Sequence, residues 1–357
     1  MLKRGHVTTT IAGLLTTAFL AAPASASTAR AEQEFAPSAV RLQVSHQAAA
    51  LDADAVSAVR RHWSAERVKQ AIEAPKSLEL PSAATGPAGE YDARTHEPVR
   101  LAPRRGPVDG TAAPSSVVGT FGTRQWTGPS TRKPASTIGK LLFDDSHGSP
   151  ASCTATVIEA ETGKLVLTAG HCLMDLGTTA WNTNVVFAPG YSGAVNYQLG
   201  GLWVASGYGV TGGWHTTKDS AHDLGFVALA AQNGLEIEDK VGAQGISFFE
   251  AAQQRVRAFG YPHNYGDGKY LFTCDPVTTT TTSYHPGAIE LAPCDMGPGA
   301  SGGSWMTDFD ESGTTGVGYA VSVTSLYRPY AFPFQPAEIG PQFKDQEWDL
   351  YNLMLSY

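Results

Sequence analysis

Leu167-Thr168-Ala169-Gly170-His171-Cys172 closes a short apolar run with an imidazole. Two later segments complete a pattern with it. Asp223-Leu224-Gly225-Phe226-Val227-Ala228-Leu229 sets a carboxylate at the head of an apolar run. Gly297-Pro298-Gly299-Ala300-Ser301-Gly302-Gly303 presents one hydroxyl on a glycine-rich turn. A serine hydroxyl is a weak nucleophile at neutral pH and needs a base within hydrogen-bond reach, for which imidazole has a suitable pKa. The base in turn needs a buried carboxylate to fix its tautomer and stabilise the imidazolium. Glycines around the serine let the backbone turn tightly, so that the amides of Gly299 and Ser301 can point at a developing oxyanion. The three residues become candidate base (His171), orienting acid (Asp223) and nucleophile (Ser301). Asp175 and Asp219 are rivals to Asp223, but neither heads an apolar strand. His222 adjoins Asp223 at the same strand start and is expected to point the opposite way. His147, His215, His263 and His285 sit among Gly, Pro, Asp and Ser and read as surface-loop residues.

Outward from these segments, short β-branched and apolar runs occupy 138–143, 153–160, 164–169, 184–188, 224–230, 255–260, 270–282, 288–291 and 316–324. Many short strands without long helical segments between them argue for an all-β, antiparallel sandwich or barrel. The stretch 342–355 reads as a closing helix with Phe343, Trp348, Tyr351 and Leu355 on one side. Gly299-x-Ser301-x-Gly303 also fits the nucleophile elbow of α/β-hydrolases, whose chain order is serine, acid, histidine. The last histidine here is His285, ahead of Ser301, and the strands do not alternate with helices. That alternative fails.

Thr168-Ala169-Gly170-His171-Cys172, Asp223-Leu224-Gly225-Phe226 and Gly299-Ala300-Ser301-Gly302-Gly303 are similar to the histidine, aspartate and serine motifs of the chymotrypsin-like (trypsin-like) serine peptidases. The closer resemblance is to the bacterial secreted branch that includes the glutamyl endopeptidases, shared also by Arg255 to Pro262. It covers about residue 136 to the end of the sequence given. It implies two antiparallel β-barrels and a C-terminal helix, with His171 and Asp223 from the first barrel and Ser301 from the second. It also implies serine endopeptidase activity on protein or peptide substrates, through an acyl-enzyme and without a cofactor. Four cysteines in an exported protein suggest two disulfides, and sequence alone permits three connectivities. The resemblance implies Cys153–Cys172 and Cys274–Cys294. A metal site is the weaker reading, since Cys-x-x-Cys and His-x-x-x-His spacings are missing. Asp295 stands where the trypsin group carries its specificity aspartate and is the candidate floor of the specificity pocket. The histidine beyond the serine that goes with glutamate preference is missing, which disfavours acidic specificity. Ala300 replaces the aspartate that receives a new N-terminus in the trypsin group. Activation by removal of an inhibitory segment is the expectation instead.

Residues 1–26 read as a signal peptide: Lys3 and Arg4, an apolar stretch from Ile11 to Ala22, then Ala24-Ser25-Ala26 as the cleavage pattern. That stretch is too short to span a bilayer. Residues 27–133 read as a pro-segment and linker, and residues 134–357 as the peptidase domain. Within the pro-segment Leu51, Val56, Val59, Trp63, Val68 and Ile72 recur at helical steps, so one or two amphipathic helices broken near Ser64 are expected. From residue 75 to 134 Pro, Gly, Thr, Ser and Ala prevail without a period, as in a linker. Arg104-Arg105 and Arg132-Lys133 there are either processing sites or solvated basic pairs. The formal charge of −8, with the acidic excess after residue 115, argues against nucleic acid as partner, because phosphate binding needs a basic face. No membrane partner is expected, and a monomer is. The reading from a different class is a secreted pseudo-protease, a binding module on the same fold.

Overall fold

The apolar run at 138–143 is the spine of the first barrel. It forms the strand Ile138–Asp144, buried along its whole length. Leu141 and Phe143 pack inward with Leu165, Leu167, Phe187 and Phe226, while Ile138 and Leu142 pack outward against Trp63, Val68 and Ile72. Alternation of side chains along a strand explains the split. The computed structural model describes residues 45–48, 52–79, 96–104, 114–118, 121–282, 285–331 and 333–357. Ile138–Asp144, Pro150–Val157, Leu165–Thr168, Thr183–Pro189, Trp203–Val210 and Gly225–Leu229 pair antiparallel into a closed barrel. Trp203–Val210 closes it by bonding to both Thr183–Pro189 and Gly225–Leu229.

The second barrel is assembled from two sheets. One runs in the order Val99–Leu101, Gly245–Phe248, Tyr319–Val323, Ser304–Thr307, Arg255–Gly260, Phe272–Cys274, Thr123–Trp126, Pro114–Val118. The other runs Thr280–Thr281, Ala288–Leu291, Ala337–Pro341, Leu326–Arg328, Leu78–Glu79. The architecture is the all-β, two-barrel arrangement expected. The closing helix spans Asp345–Met354 and buries Leu350, Tyr351 and Met354 in the first-barrel core. Cys153 is bonded to Cys172 and Cys274 to Cys294, the pairing that the resemblance implied.

The N-terminal helices are two, Ala53–His62 and Ala65–Glu73, each started by a side-chain cap, Asp52 on the Ala55 amide and Ser64 on the Arg67 amide. Such caps satisfy backbone donors that a helix start leaves unpaired. The second helix lies on the outer face of the first barrel. There Trp63 Nε1 donates to the Asn184 carbonyl at 2.7 Å, and Arg67 pairs with Asp144 at 2.6 Å. Ser45–Ala48 adds a strand to Trp203–Val210.

The stretch 75–134, expected as a linker, contributes four strands: Leu78–Glu79, Val99–Leu101, Pro114–Val118 and Thr123–Trp126. They are too short to show a period, and their pairing comes from distant partners. One member of each basic pair is held by the fold. Lys133 is fully buried with Nζ 2.6 Å from the Arg104 carbonyl, and Arg104 lies near Glu159 and Glu238. Arg105 and the expected signal peptide, residues 1–26, lie outside the described residues.

Candidate active site

The strand Leu165–Thr168 delivers the histidine motif to the end of the first barrel, where Gly170–Cys172 forms a 3-10 turn. Gly170 is required there by space: a Cβ would come within 2.8 Å of the Trp214 ring and 2.9 Å of Asp223 Oδ1. The tight approach lets one carboxylate grip His171 twice. Asp223 Oδ1 accepts the His171 amide at 2.8 Å, and Oδ2 meets His171 Nδ1 at 2.7 Å. A carboxylate only accepts, so Nδ1 is the donor in this bond and Nε2 faces away from Asp223. Ser325 Oγ donates a further bond to Asp223 Oδ2 at 2.5 Å. Trp214 stands edge-on to the imidazole at 6.1 Å between centroids.

The serine turn reaches this pair from the second barrel. The Ser301 carbonyl accepts the Thr154 amide at 2.8 Å, and the Gly302 amide donates to the Thr324 carbonyl, next to Ser325. Gly302 has φ +78°, and a Cβ there would lie 2.2 Å from Thr168 Oγ1 and 3.0 Å from the Ala169 amide. The serine turn is therefore pressed against the strand that leads into His171. His171, Asp223 and Ser301 are 2 %, 0 % and 2 % exposed, so the nucleophile candidate is shut off from solvent.

Residues 74–79 do the shutting. The Gly299 amide donates to the Lys76 carbonyl at 3.1 Å, and Ser301 Oγ donates to the same oxygen at 3.2 Å. On one flank the Lys76 amide donates to the Ser152 carbonyl at 2.9 Å, with Pro75 and Ser152 paired parallel. On the other flank Leu78–Glu79 pairs parallel with Leu326–Arg328. His171 Nε2 has no hydrogen-bond partner among the described residues. A carbonyl oxygen thus rests on the predicted oxyanion donor Gly299 and also takes the Ser301 hydroxyl.

The other sequence candidates are accounted for individually. His222 points away from the pair, with Nδ1 2.8 Å from Glu347 Oε1. Asp219 caps the turn Ser220–His222. Asp175 faces the hairpin after Ile138–Asp144, where Ser146 donates to it from amide and hydroxyl at 3.0 and 2.7 Å. Asp295 is buried with no oxygen left without a donor. Thr123 Oγ1 bonds to Oδ1, and Tyr265 donates to Oδ2 at 2.5 Å; burial and the bond to Asp295 hold the Tyr265 phenol above its ordinary range. Three contributors escaped the sequence reading: Ser325, Lys76 and Glu338. Glu338 is fully buried, accepts the Gly297 amide at 2.9 Å through Oε1, and is pushed up to about 8 by burial, with Asp295 adding to the rise. None carries a local signal, because each acts through partners distant in the chain.

Two groups of side chains have metal-like spacing among the described residues. Cys153, His171 and Cys172 form one, but the sulfurs are joined to each other. Asp145, His147 and Asp175 form the other. The Lys76 ammonium already sits between its two carboxylates.

The protease Anisep from Arthrobacter nicotinovorans is similar in structure, with a TM-score of 0.54 and 30% identity over 62% of this chain and 96% of that one. A thermostable serine protease, AL20, from an extremophilic microorganism gives 0.55 and 28% over 62% and 97%. A Glu endopeptidase, solved in complex with MPD, gives 0.52 and 18% over 68% and 100%, a likeness of fold alone. No family model and no curated protein matches the chain.

Proposed function

Because the chain belongs to the bacterial serine proteases of the chymotrypsin-like family, we propose that His171, Asp223 and Ser301 are the catalytic residues of this serine endopeptidase. Ser301 Oγ attacks a peptide carbonyl as His171 Nε2 takes its proton, and Asp223 holds the imidazole and stabilises its charged form. The amides of Gly299 and Ser301 receive the oxyanion, a contribution worth roughly 100- to 1000-fold in rate per donor. His171 then hands the proton to the leaving amine, and water releases the acyl group from Ser301. The observation that carries this reading is the Lys76 carbonyl, a peptide oxygen seated on both the Gly299 amide and the Ser301 hydroxyl.

The same contact supports latency. We propose that residues 1–26 export the chain and that residues 27–133 form a pro-segment that closes the cleft. With Ser301 Oγ donating to the Lys76 oxygen, its proton is not directed at His171, so the segment is held rather than cut. The matched share of this chain in Anisep is close to that of residues 134–357. Lys133 and Arg104 are tied into the fold, which supports a first cut that follows loosening of the segment.

The test is a fluorophosphonate probe applied to the full-length chain before and after incubation that releases the N-terminal segment. We expect no label before release, and afterwards a label on Ser301 together with peptide hydrolysis, both lost in His171→Ala. A released, folded protein that takes no label and cuts no peptide would instead be a binding module on this fold. Strong labelling of the intact chain would refute the latency alone.

A further inference from the structure

Lys76 does more than place a carbonyl at the serine. Its ammonium reaches Asp175 Oδ1 at 2.9 Å and Asp145 Oδ2 at 3.4 Å. The far oxygens of the two carboxylates are fixed by the hairpin turn. Asp145 Oδ1 accepts the amides of His147 and Ser149 at 2.9 and 3.0 Å, and Asp175 Oδ2 accepts the amide and hydroxyl of Ser146. The near oxygens of both aspartates converge on one cation. Burial pulls the Asp175 carboxyl upward, but the bonds from Ser146 and Lys76 outweigh it and leave it below the ordinary carboxylate range.

Resting on the protease reading, we propose that Asp145 and Asp175 form a subsite for a basic side chain of the substrate. Lys76 fills it in the full chain, and a substrate lysine or arginine fills it once the segment has left. Three facts support this. The two aspartates lie one lysine side chain away from the nucleophile, since the same residue touches Ser301 through its carbonyl and Asp175 through its ammonium. Beneath Lys76 both are largely buried, at 15 % and 12 % exposure. Departure of Lys76 would leave the two carboxylates facing each other, with His147 completing the cluster and the Lys218 ammonium acting on Asp175 from a distance. A preset pair of acceptors of this kind favours a cation that brings no ordering cost to the site. The subsite lies on the histidine's barrel, and His171 protonates the leaving amine.

The experiment takes the full-length chain through release of its N-terminal segment and compares internally quenched peptides. They differ only by Lys, Ala or Glu at the residue before the scissile bond or at one of the first three positions after it. At one position Lys should exceed Ala in kcat/KM by roughly fivefold to tenfold, the range expected of two partly screened ion pairs, and Glu should fall below Ala. In Asp145→Asn with Asp175→Asn, which retain one acceptor oxygen each, the Lys-to-Ala ratio should drop to near one. The single Asp175→Asn should fall between. Each ratio is taken within one protein, so poor folding lowers both rates and leaves the ratio readable. No preference for Lys in the wild type, or a preference that survives the double substitution, overturns the subsite while leaving the protease intact. No cleavage of any peptide, with Ser301 unlabelled, overturns the protease reading and the subsite with it.

Discussion

Asp223 and Glu338 are both fully buried carboxyl groups close to the serine turn, one on each barrel. Asp223 receives donors on both oxygens: the His171 amide, His171 Nδ1 and Ser325 Oγ. Glu338 receives the Gly297 amide, with the Met296 amide also favouring its charged form, and Oε2 has no partner among the described residues. Burial penalises a charge in both places, and what differs is the supply of donors and of a cation-forming partner. The first arrangement grips a base from both oxygens. The second is a carboxylic acid for most of the physiological range, because burial pushes it up to about 8.

The strongest way to break this comparison is Asp223→Asn. It should lower kcat of the released enzyme by about 10⁴-fold by fixing the wrong imidazole tautomer, measured as peptide hydrolysis against wild type. A loss under tenfold would put Asp223 on a par with an ordinary buried group. Next comes Glu338→Gln. The folded-state pKa of Glu338 is raised, so the folded protein binds more protons and loses stability as pH rises from about 4.5 to about 8. Urea unfolding at pH 5 and pH 9 should show a wild-type loss of about 3–5 kcal/mol from this group; the variant should lack that part of the slope.

Lys140 extends the contrast to a cation. It lies on the same face of its strand as Ile138 and Leu142, the face that the helix Ala65–Glu73 covers. Its Nζ has no hydrogen-bond partner among the described residues, and burial lowers it to about 7. A lowered pKa means that the covered state binds fewer protons. Docking of the released N-terminal fragment should therefore tighten by about tenfold per pH unit between pH 7 and pH 9, read by inhibition titrations. The Lys140→Met enzyme should lose that slope. The smallest effect is expected from Ser325→Ala, which removes one of the three donors to Asp223. It should cost about tenfold in kcat, in line with a hydrogen bond to a charged group, with KM little changed.

Much of the first barrel was legible in the sequence, because its strands follow one another and several read as unbroken apolar runs. Ile138–Asp144, Leu165–Thr168, Thr183–Pro189 and Gly225–Leu229 lie within two residues of the runs that announce them. Trp203–Val210 did not announce itself, since Ser206, Gly207 and Gly209 interrupt its pattern. The second barrel was harder to read. Leu326–Arg328 is only three residues long and Ala337–Pro341 is rich in weak strand formers, and they gain order from each other and from Ala288–Leu291. The candidate catalytic residues were legible because their glycine and cysteine neighbours travel with them. Ser325, Lys76 and Glu338 had no such company. Their positions depend on pairings across the chain: Lys76 in the cleft needs the helix before it and Leu78–Glu79 after it to be docked at once.

The Lys76 carbonyl on the Gly299 amide belongs to the same molecule as the cleft it fills, and that sets how the block responds to concentration. While the chain is continuous, the effective concentration of the segment is fixed by its tether and is the same in a drop or a litre. Once the chain is cut, the identical contacts obey mass action, and dilution alone empties the cleft. A single break in the backbone thereby converts a concentration-blind lock into one that opens as the protein disperses.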